Sequence, residues 1–245
     1  MKLPWLDTQE PCFPETNQAL SEPNGLLAAG GHLSVDWLLA AYQKGVFPWF
    51  NADDPILWWT PSPRMVLYPH QLHISRSLKK ALRKDDFGVT INQDFIAVID
   101  HCAAPRGGFQ GFPETWITPE MRQAYIELNR SGYAHSIEVW RDQQLIGGLY
   151  GIALGKVFFG ESMFSKAANG SKIAISHLVE WLKQWQYKLI DCQVYNDHLS
   201  SLGAIEIDRH TFEQIIETYA KKSALEQAGR EIWMAQDITL PPTHW

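Results

Sequence analysis

The amino-acid sequence predicts an α+β protein, because helix-like and strand-like segments fall in separate stretches of the chain. Segments with N-cap residues and helical spacing predominate as far as residue 131. Three runs with strand-like alternation then follow between residues 135 and 164, with only short turns between them. Strands joined by tight turns pair antiparallel, whereas a strand that follows a helix can pair in parallel. We therefore expect a mixed, mainly antiparallel sheet.

The first part of the chain carries few regular patterns. Residues 1–32 are rich in Pro, Gly, Asn and Glu, so we expect irregular structure there. A Ser N-cap and a Gly beyond the last turn predict a helix over residues 35–44. The aromatic, Pro-rich stretch that follows predicts loops and two short strands, at 56–59 and 64–68. We place a small N-terminal α/β domain at residues 1–68.

Local signals also define the middle of the chain. Ser75 and Thr118 are good N-cap residues, and Pro119 suits the first position of a helix. Gly and Pro residues cluster between positions 105 and 113, which is typical of a loop between two helices. The elements expected here are a helix over 76–84, a strand over 87–91, a helix over 93–102, a mobile loop over 103–114 and a helix from 119 to 131.

The last part of the chain contains most of the sheet. Apolar residues alternate along its strands, and the helix that follows has them at helical spacing. The expected elements are strands over 135–141, 145–154 and 157–164 with a turn at 142–144, a helix over 171–186, a strand over 189–194 and a helix over 212–221. This order is that of the GNAT-type acyltransferase fold (the acyl-CoA N-acyltransferase type), which we place at residues 69–245.

Composition restricts the class of protein. The 245 residues are 45% hydrophobic and 20% charged, as in a globular protein, and the formal net charge of −6 argues against a large nonspecific nucleic-acid binder. Cys12, Cys102 and Cys192 are widely spaced, which argues against disulfides and a zinc site. No signal peptide or membrane-spanning run is visible, so we expect a cytoplasmic protein without membrane contact.

Two apolar runs carry polar residues that a plain core would not need. Residues 156–165 contain Glu161 among large apolar side chains, and residues 189–196 contain Asp191 and Gln193. A carboxylate in an apolar run is costly to bury unless it is paired or hydrogen-bonded. Asp191 and Gln193 are two positions apart, so on a regular strand they face the same side. Two such strands predict one active-site cleft.

Nine motifs in a single order identify a family resemblance. The chain closely resembles leucyl/phenylalanyl-tRNA–protein transferases. The matching segments are residues 22–27, 45–50, 58–64, 115–118, 135–140, 147–151, 159–165, 191–193 and 201–204. The resemblance implies a small N-terminal domain joined to a GNAT-like domain. It also implies transfer of Leu or Phe, with Met as a further candidate, from aminoacyl-tRNA to proteins beginning with Arg or Lys. The products enter N-end rule protein degradation.

The chemistry of this transfer suits the residues present. Aminolysis of an ester is energetically downhill, so we expect no cofactor and no metal. We also expect a monomer. An α-amino group has a pKa near ~8, so part of it is neutral at pH 7. The resemblance implies catalytic roles for Asp191, Gln193 and Glu161. The Gln193 carbonyl can orient the attacking amine, Asp191 can hold that amine or polarise Gln193, and the terminal ribose hydroxyl of the tRNA is an alternative proton carrier.

The resemblance also implies substrate-binding residues. Trp49 and Trp116 are expected near the terminal adenosine, where an indole can stack on a base. The other positions matched to the donor amino acid are Tyr125, Leu149, Phe158, Met163, Ser165, Ile175, Leu178 and Leu182. Plain core packing is the alternative for the apolar positions. Arg76, Lys80 and Lys84 form a stripe at helical spacing that suits the tRNA backbone, although such stripes are usually only solvated faces.

Two other functions compete with this one. An acetyl-CoA N-acetyltransferase of the same fold would carry a Gly-rich loop before the helix at 171–186, to bind pyrophosphate. The loop here, residues 166–171, contains a single Gly. A non-catalytic RNA-binding protein would have no use for Asp191, Gln193 and Glu161 in apolar strands. The nine His residues show no persuasive metal-ligand spacing.

Overall fold

A computed structural model describes residues 3–7, 9–84, 86–104, 116–221, 232–233 and 245. A four-stranded sheet lies in its N-terminal part, in the order β1–β2–β4–β3, with only β1 and β2 parallel. Its strands are β1 (Trp5–Leu6), β2 (Leu26–Gly30), β3 (Phe47–Pro48) and β4 (Leu57–Trp59). The expectation of irregular structure over residues 1–32 was wrong for β1 and β2. These short apolar runs become strands because β1 pairs with β2 and β2 pairs with β4, which are partners distant in the sequence.

The predicted first helix is confirmed. Helix α1 spans Val35–Gln43, and the Ser34 hydroxyl accepts a hydrogen bond from the backbone N–H of Trp37 at 3.4 Å. Gly45 follows the helix with a positive φ of 72°, where an L side chain would be strained and a Cβ would lie 2.7 Å from the Phe212 ring. The chain therefore turns sharply here into β3.

A seven-stranded sheet forms the larger part of the molecule, in the order β11–β5–β10–β9–β8–β7–β6. Neighbouring strands are antiparallel except for β9 and β10, which are parallel. The mixed, mainly antiparallel α+β arrangement is thus confirmed. The strands are β5 (Arg64–Leu67), β6 (Gly88–Ile91), β7 (Ala134–Arg141), β8 (Gln144–Leu154), β9 (Val157–Ser165), β10 (Leu189–Gln193) and β11 (Ile205–Ile207).

Apart from the short helix Asp197–Ser200, the remaining helices lie close to their predicted positions. They are α2 (Arg76–Leu82), α3 (Phe95–Ala103), α4 (Pro119–Arg130), α5 (Gly170–Gln184), α6 (Asp197–Ser200) and α7 (Arg209–Tyr219), with 3-10 turns at Thr16–Gln18 and Pro69–Gln71. Helix α7 starts earlier than expected because Asp208 caps it, accepting from the Thr211 N–H at 3.0 Å. Neither α6 nor β11 was expected. The loop predicted over 103–114 lies almost wholly outside the described residues.

Two apolar cores lie on opposite faces of the large sheet. On one face, the N-terminal sheet packs with α1, α3, α4 and α7 around Trp58 and Phe159. On the other face, α2 and α5 cover Phe158 and its neighbours. Strand β5 falls within the predicted N-terminal domain but pairs inside the large sheet, so it ties the two parts together. The domain boundary at residue 68 stays a prediction.

We find no helix of membrane-spanning length and hydropathy in the described part of the chain.

Candidate active site

Strands β9 and β10 stop pairing at the point where their polar residues begin. Their last paired residues are Phe159 and Asp191. Just beyond, the pairing of β8 with β9 shifts register, so that Glu161 falls between paired positions. Such a shift bends a strand and redirects its side chains. The site therefore sits where the two parallel strands part.

Three side chains from three different elements converge on the half-buried carboxylate of Glu161. The hydroxyls of Tyr42 on α1 and Tyr125 on α4 donate to Oε1 and Oε2, each at 2.8 Å. The Gln193 Nε2 on β10 donates to Oε1 at 3.0 Å. Glu161 thus links two helices of one core to the strand beside it.

Burial raises the pKa of Glu161 from 4.5 to about 7. The hydrogen bonds from Tyr125 and Tyr42 act in the opposite direction, because they stabilise the charged carboxylate. The nearby charge of Asp191 raises the pKa further, and the bond from Gln193 lowers it. The result is a carboxyl group that can gain or lose a proton near neutral pH, a property typical of catalytic acids and bases.

Asp191 lies in a buried ion pair with Arg64. The Arg64 Nε donates to Oδ1 at 2.8 Å and Nη2 donates to Oδ2 at 2.7 Å, and both side chains are at most 1% exposed. The Arg64 guanidinium also stacks on the rings of Phe47 and Phe212, 4.7 and 4.6 Å from their centroids. The Asp191 carboxylate therefore faces Arg64 and not the solvent.

Gln193 is held in an unusual backbone conformation. Its φ is +64°, a left-handed value that costs energy for a residue with a side chain. Its backbone N–H donates to Oδ1 of Asp191 at 2.9 Å, and the pairing of β10 with β5 shifts register between these two residues. The regular alternation used to place Asp191 and Gln193 on one face stops at this shift. Asp191 contacts the backbone of Gln193, while the Gln193 side chain reaches Glu161.

The apolar positions assigned to the donor amino acid lie together. Each packs in or against the core beneath α5, and all but the half-buried Met163 are at most 3% exposed. The set is Leu149, Phe158, Met163, Ile175, Leu178 and Leu182. A donor pocket and a plain core would place these residues in the same way, so their role stays a prediction.

Two other predicted substrate-binding residues lie apart from each other. Tyr125 is buried and bonded to Glu161. The Ser165 hydroxyl instead accepts from the Ser171 N–H at 2.8 Å and lies 2.9 Å from its hydroxyl. Ser165 thus supports the first turn of α5.

The aromatic residues expected near the terminal adenosine are accessible. Trp49 is 46% exposed, and its ring lies tilted 5.7 Å from that of Trp59. Trp116 is half-buried against the core that contains Phe159. Trp58, by contrast, is fully buried. The exposure of Trp49 is compatible with stacking on a base.

The predicted cationic stripe is exposed but shorter than expected. Arg76 and Lys80 lie on α2, with Lys79 beside them. The helix ends at Leu82, so the exposed Lys84 lies beyond it and does not extend the helical stripe. The cations still form one basic surface on an acidic protein.

Sequence reasoning missed Tyr42 and Arg64. A signal existed for Arg64, because an Arg and an Asp each interrupt an apolar strand, and buried charges need partners. Tyr42 had a weaker signal, since a buried Tyr hydroxyl usually finds a partner. Glu138, another buried carboxylate of the large sheet, is bonded to other residues. It accepts from Thr90 Oγ1 at 2.7 Å and Ser136 Oγ at 2.5 Å.

Two family models match different parts of the chain. The family model described as leucyl/phenylalanyl-tRNA protein transferase matches residues 66–217, and the model of that family's N-terminal domain matches residues 31–62. Curated relatives with the name leucyl/phenylalanyl-tRNA–protein transferase are similar over most of their length. The one from Cellvibrio japonicus is 55% identical over 87% of this chain and 90% of its own. The Pseudomonas syringae protein is 52% identical over 96% of this chain and 100% of its own. The Azoarcus protein is 50% identical over 99% of this chain and 95% of its own.

Similarity to solved structures is much weaker. The structure of L-PGS from Bacillus licheniformis is 10% identical, covers 68% of this chain and 55% of that chain, and has a TM-score of 0.38, which is too low to assign a fold. The sequence relationship is decisive by contrast, since it covers both parts of the chain at half identity or more. This chain belongs to the leucyl/phenylalanyl-tRNA–protein transferase family.

Proposed function

We propose that this protein transfers Leu or Phe from aminoacyl-tRNA to the N-terminal amine of a protein. The observation that carries the proposal is the relationship to transferases at 50–55% identity over 87–99% of the chain. The carboxyl–amide pair at the cleft supports it independently. Fold-level likeness alone would carry little weight.

The reaction needs no added energy source. The ester bond between the amino acid and the terminal ribose breaks, an amide bond forms, the amine loses a proton and the ribose oxygen gains one. We assign the reacting amine to the group formed by Glu161 and Gln193. The Gln193 Nε2 is used by Glu161, so its carbonyl oxygen is the group left to accept from the amine. Glu161 can take up a proton because its pKa is about 7.

We propose indirect catalysis by Asp191. Its two oxygens are engaged by Arg64 and by the Gln193 backbone, and the side chain is fully buried. A direct hold on the acceptor amine would require this ion pair to open. Asp191 instead fixes Gln193, and its negative charge acts on Glu161.

We place the donor on three surfaces. Its amino acid side chain enters the apolar cluster beneath α5, its terminal adenosine stacks on Trp49 and Trp116, and its phosphates contact Arg76, Lys80 and Lys84. The exposed ring of Trp49 and the exposed cations support the last two assignments. Phosphate contacts of this kind would be largely indifferent to tRNA sequence.

Further proposals concern partners and architecture. We propose acceptors that begin with Arg or Lys, a monomer, and a cytoplasmic location. We also propose that the large sheet is of the GNAT type. The parallel pair β9–β10 in an otherwise antiparallel sheet, with pairing that ends at the site, supports this. The boundary near residue 68 is supported by family models that meet between residues 62 and 66.

A direct assay tests the proposal. Purified protein is mixed with radiolabelled Phe-tRNA and a peptide beginning with Arg, Lys or Ala, without ATP, and label in the peptide is counted. We expect transfer to the Arg and Lys peptides and none to the Ala peptide. Salt-sensitive tRNA binding without transfer would favour an RNA-binding protein. Failure of both, with acetyl transfer from acetyl-CoA, would favour an acetyltransferase.

A further inference from the structure

Arg64 is among the most completely enclosed charged side chains of the described residues. It is 1% exposed, and its Nε and Nη2 bind the two oxygens of Asp191. Its Nη1 is buried with no hydrogen-bond partner among the residues that the structure describes. Burying an arginine with an unused donor is costly. A purely stabilising role is a weak explanation, because apolar residues often replace buried ion pairs without loss of stability.

Two aromatic rings contact the guanidinium. Phe47 on β3 and Phe212 on α7 lie with their ring centroids 4.7 and 4.6 Å from its Cζ. Stacking of this kind suits the planar guanidinium, whereas the point charge of a Lys ammonium cannot match both the rings and the two oxygens of Asp191. The direction in which Arg64 presents its donors is therefore set by the fold.

Asp191 connects Arg64 to the backbone of Gln193 through hydrogen bonds. One oxygen, Oδ1, accepts both from Arg64 Nε at 2.8 Å and from the Gln193 N–H at 2.9 Å. The second bond supports the left-handed φ of +64° at Gln193. An apolar replacement at Asp191 could fill the space but could not accept from this N–H.

We propose that Arg64 is a positioning residue of the transfer reaction: it holds Asp191, and Asp191 fixes the backbone of Gln193. The inference rests on the proposed function. The Gln193 side chain then reaches Glu161 at 3.0 Å, so an arginine that touches no substrate determines where the reacting amine is received.

Arg64 has a second, electrostatic effect. The titratable or charged groups that interact with Glu161 come from four elements: Tyr42 on α1, Tyr125 on α4, Tyr150 on β8 and Asp191 on β10. Arg64 on β5 is paired with Asp191. Asp191 raises the pKa of Glu161. The positive charge of Arg64 offsets that influence, because it lies against both oxygens of Asp191. Removing the charge should therefore raise the pKa of Glu161.

Two variants separate geometry from charge. Arg64→Lys keeps the charge and loses the paired donors. We expect kcat to fall about tenfold or more, with tRNA affinity and the pKa of Glu161 unchanged. Arg64→Met loses both, and we expect the pKa of Glu161 to rise by about one unit as well. The double variant Arg64→Met/Asp191→Asn removes both charges, and the pKa should return toward about 7.

The pKa is measured by ¹³C NMR titration of labelled Glu carboxyls, with the Glu161 signal assigned by its loss in Glu161→Gln. Arg122→Met, which breaks the exposed pair with Asp100, is the matched control and should change neither kcat nor the titration. Full kcat in Arg64→Lys, or an unmoved titration in Arg64→Met, overturns the proposal. If Arg64→Met does not fold, the proposal is tested by kcat in Arg64→Lys and by the titration of Glu161 in the double variant. The titration is independent of activity, so an inactive wild type would overturn the proposed function alone.

Discussion

The hydroxyl oxygens of Tyr42 and Tyr125 lie 2.6 Å apart, although each hydroxyl also lies 2.8 Å from an oxygen of Glu161. The ring of three groups has three short contacts, but the two hydroxyls carry only two protons. A protonated Glu161 supplies the third. This arithmetic agrees with the pKa of about 7 that burial gives Glu161. All three contacts can therefore be hydrogen bonds at once only when the carboxyl is protonated.

Tyr125→Phe should raise the pKa of Glu161 above about 7, because the hydrogen bond from Tyr125 lowers it. The ¹³C titration of the Glu161 carboxyl measures the change. Tyr187→Phe is a matched control, since its buried hydroxyl bonds Trp233 on the other side of the sheet. A pKa that falls in Tyr125→Phe would show that the hydroxyl does not stabilise the charged form.

Glu161 should make folding stability depend on pH. Its pKa is about 7 in the folded state and 4.5 as the ordinary value, so the folded chain binds more protons between these limits. Stability contributed by the protonated carboxyl is present below pH 4.5 and is lost as pH rises toward 7. The slope approaches roughly −1.4 kcal/mol per pH unit. Urea unfolding of wild type and Glu161→Gln from pH 4.5 to 8 tests this, because the difference between them should show that slope and then level off.

Asp191→Asn should destabilise the fold by about 3–5 kcal/mol, because it leaves the Arg64 charge buried and uncompensated. It should also lower transfer while leaving tRNA binding intact. Asp100→Asn breaks the exposed pair with Arg122 and should cost at most about 1 kcal/mol after solvent screening. Urea unfolding of both variants measures the contrast. Equal, small losses would mean that the buried pair contributes no more than a surface pair.

Removal of a cation from α2 should weaken tRNA binding most at low salt. Lys80→Ala should reduce the slope of log K against log salt concentration by about 1, as expected for one lost phosphate contact. Filter binding of aminoacyl-tRNA over a salt series measures the slope. Lys221→Ala removes an exposed lysine that pairs with Glu217 at the end of α7 and should leave the slope unchanged. The same slope in both variants would place the tRNA on another surface.

The apolar cluster can be tested as a donor pocket with two buried leucines. Leu182→Ala and Leu154→Ala each truncate a fully buried side chain, on opposite faces of the sheet, and each should cost about 2–5 kcal/mol. If Leu182 lines the pocket, only its variant should change the ratio of Phe to Leu transfer, by roughly tenfold. Competition between the two charged tRNAs gives that ratio. An unchanged ratio of Phe to Leu transfer in Leu182→Ala would mean that Leu182 only packs in the core.

Helices were the most predictable part of the fold, because their signals are local. Ser34, Ser75 and Thr118 were expected as N-caps, and each accepts from a backbone N–H three residues later. Strands β7 to β10 were equally clear from their alternation. Strands β1, β3 and β11 have only two or three residues each, and their existence depends on partners distant in the sequence.

The candidate site was predictable in composition but not in geometry. A carboxylate in an apolar strand drew attention to Glu161 and Asp191, since burial makes such residues exceptional. The register shifts beside them were invisible, because a bulge depends on how neighbouring strands align. The same limit hid Arg64, which is separated from Asp191 by 127 positions.

The two rings around Arg64 come from opposite ends of the chain. Phe47 belongs to the N-terminal sheet and Phe212 to the last helix described. During synthesis, the strands that carry Glu161 and Gln193 leave the ribosome before Phe212 does. Until α7 has packed, the guanidinium lacks its contact with the Phe212 ring. The stacking that orients Arg64, and through it Asp191, is therefore complete only when both ends of the chain have packed.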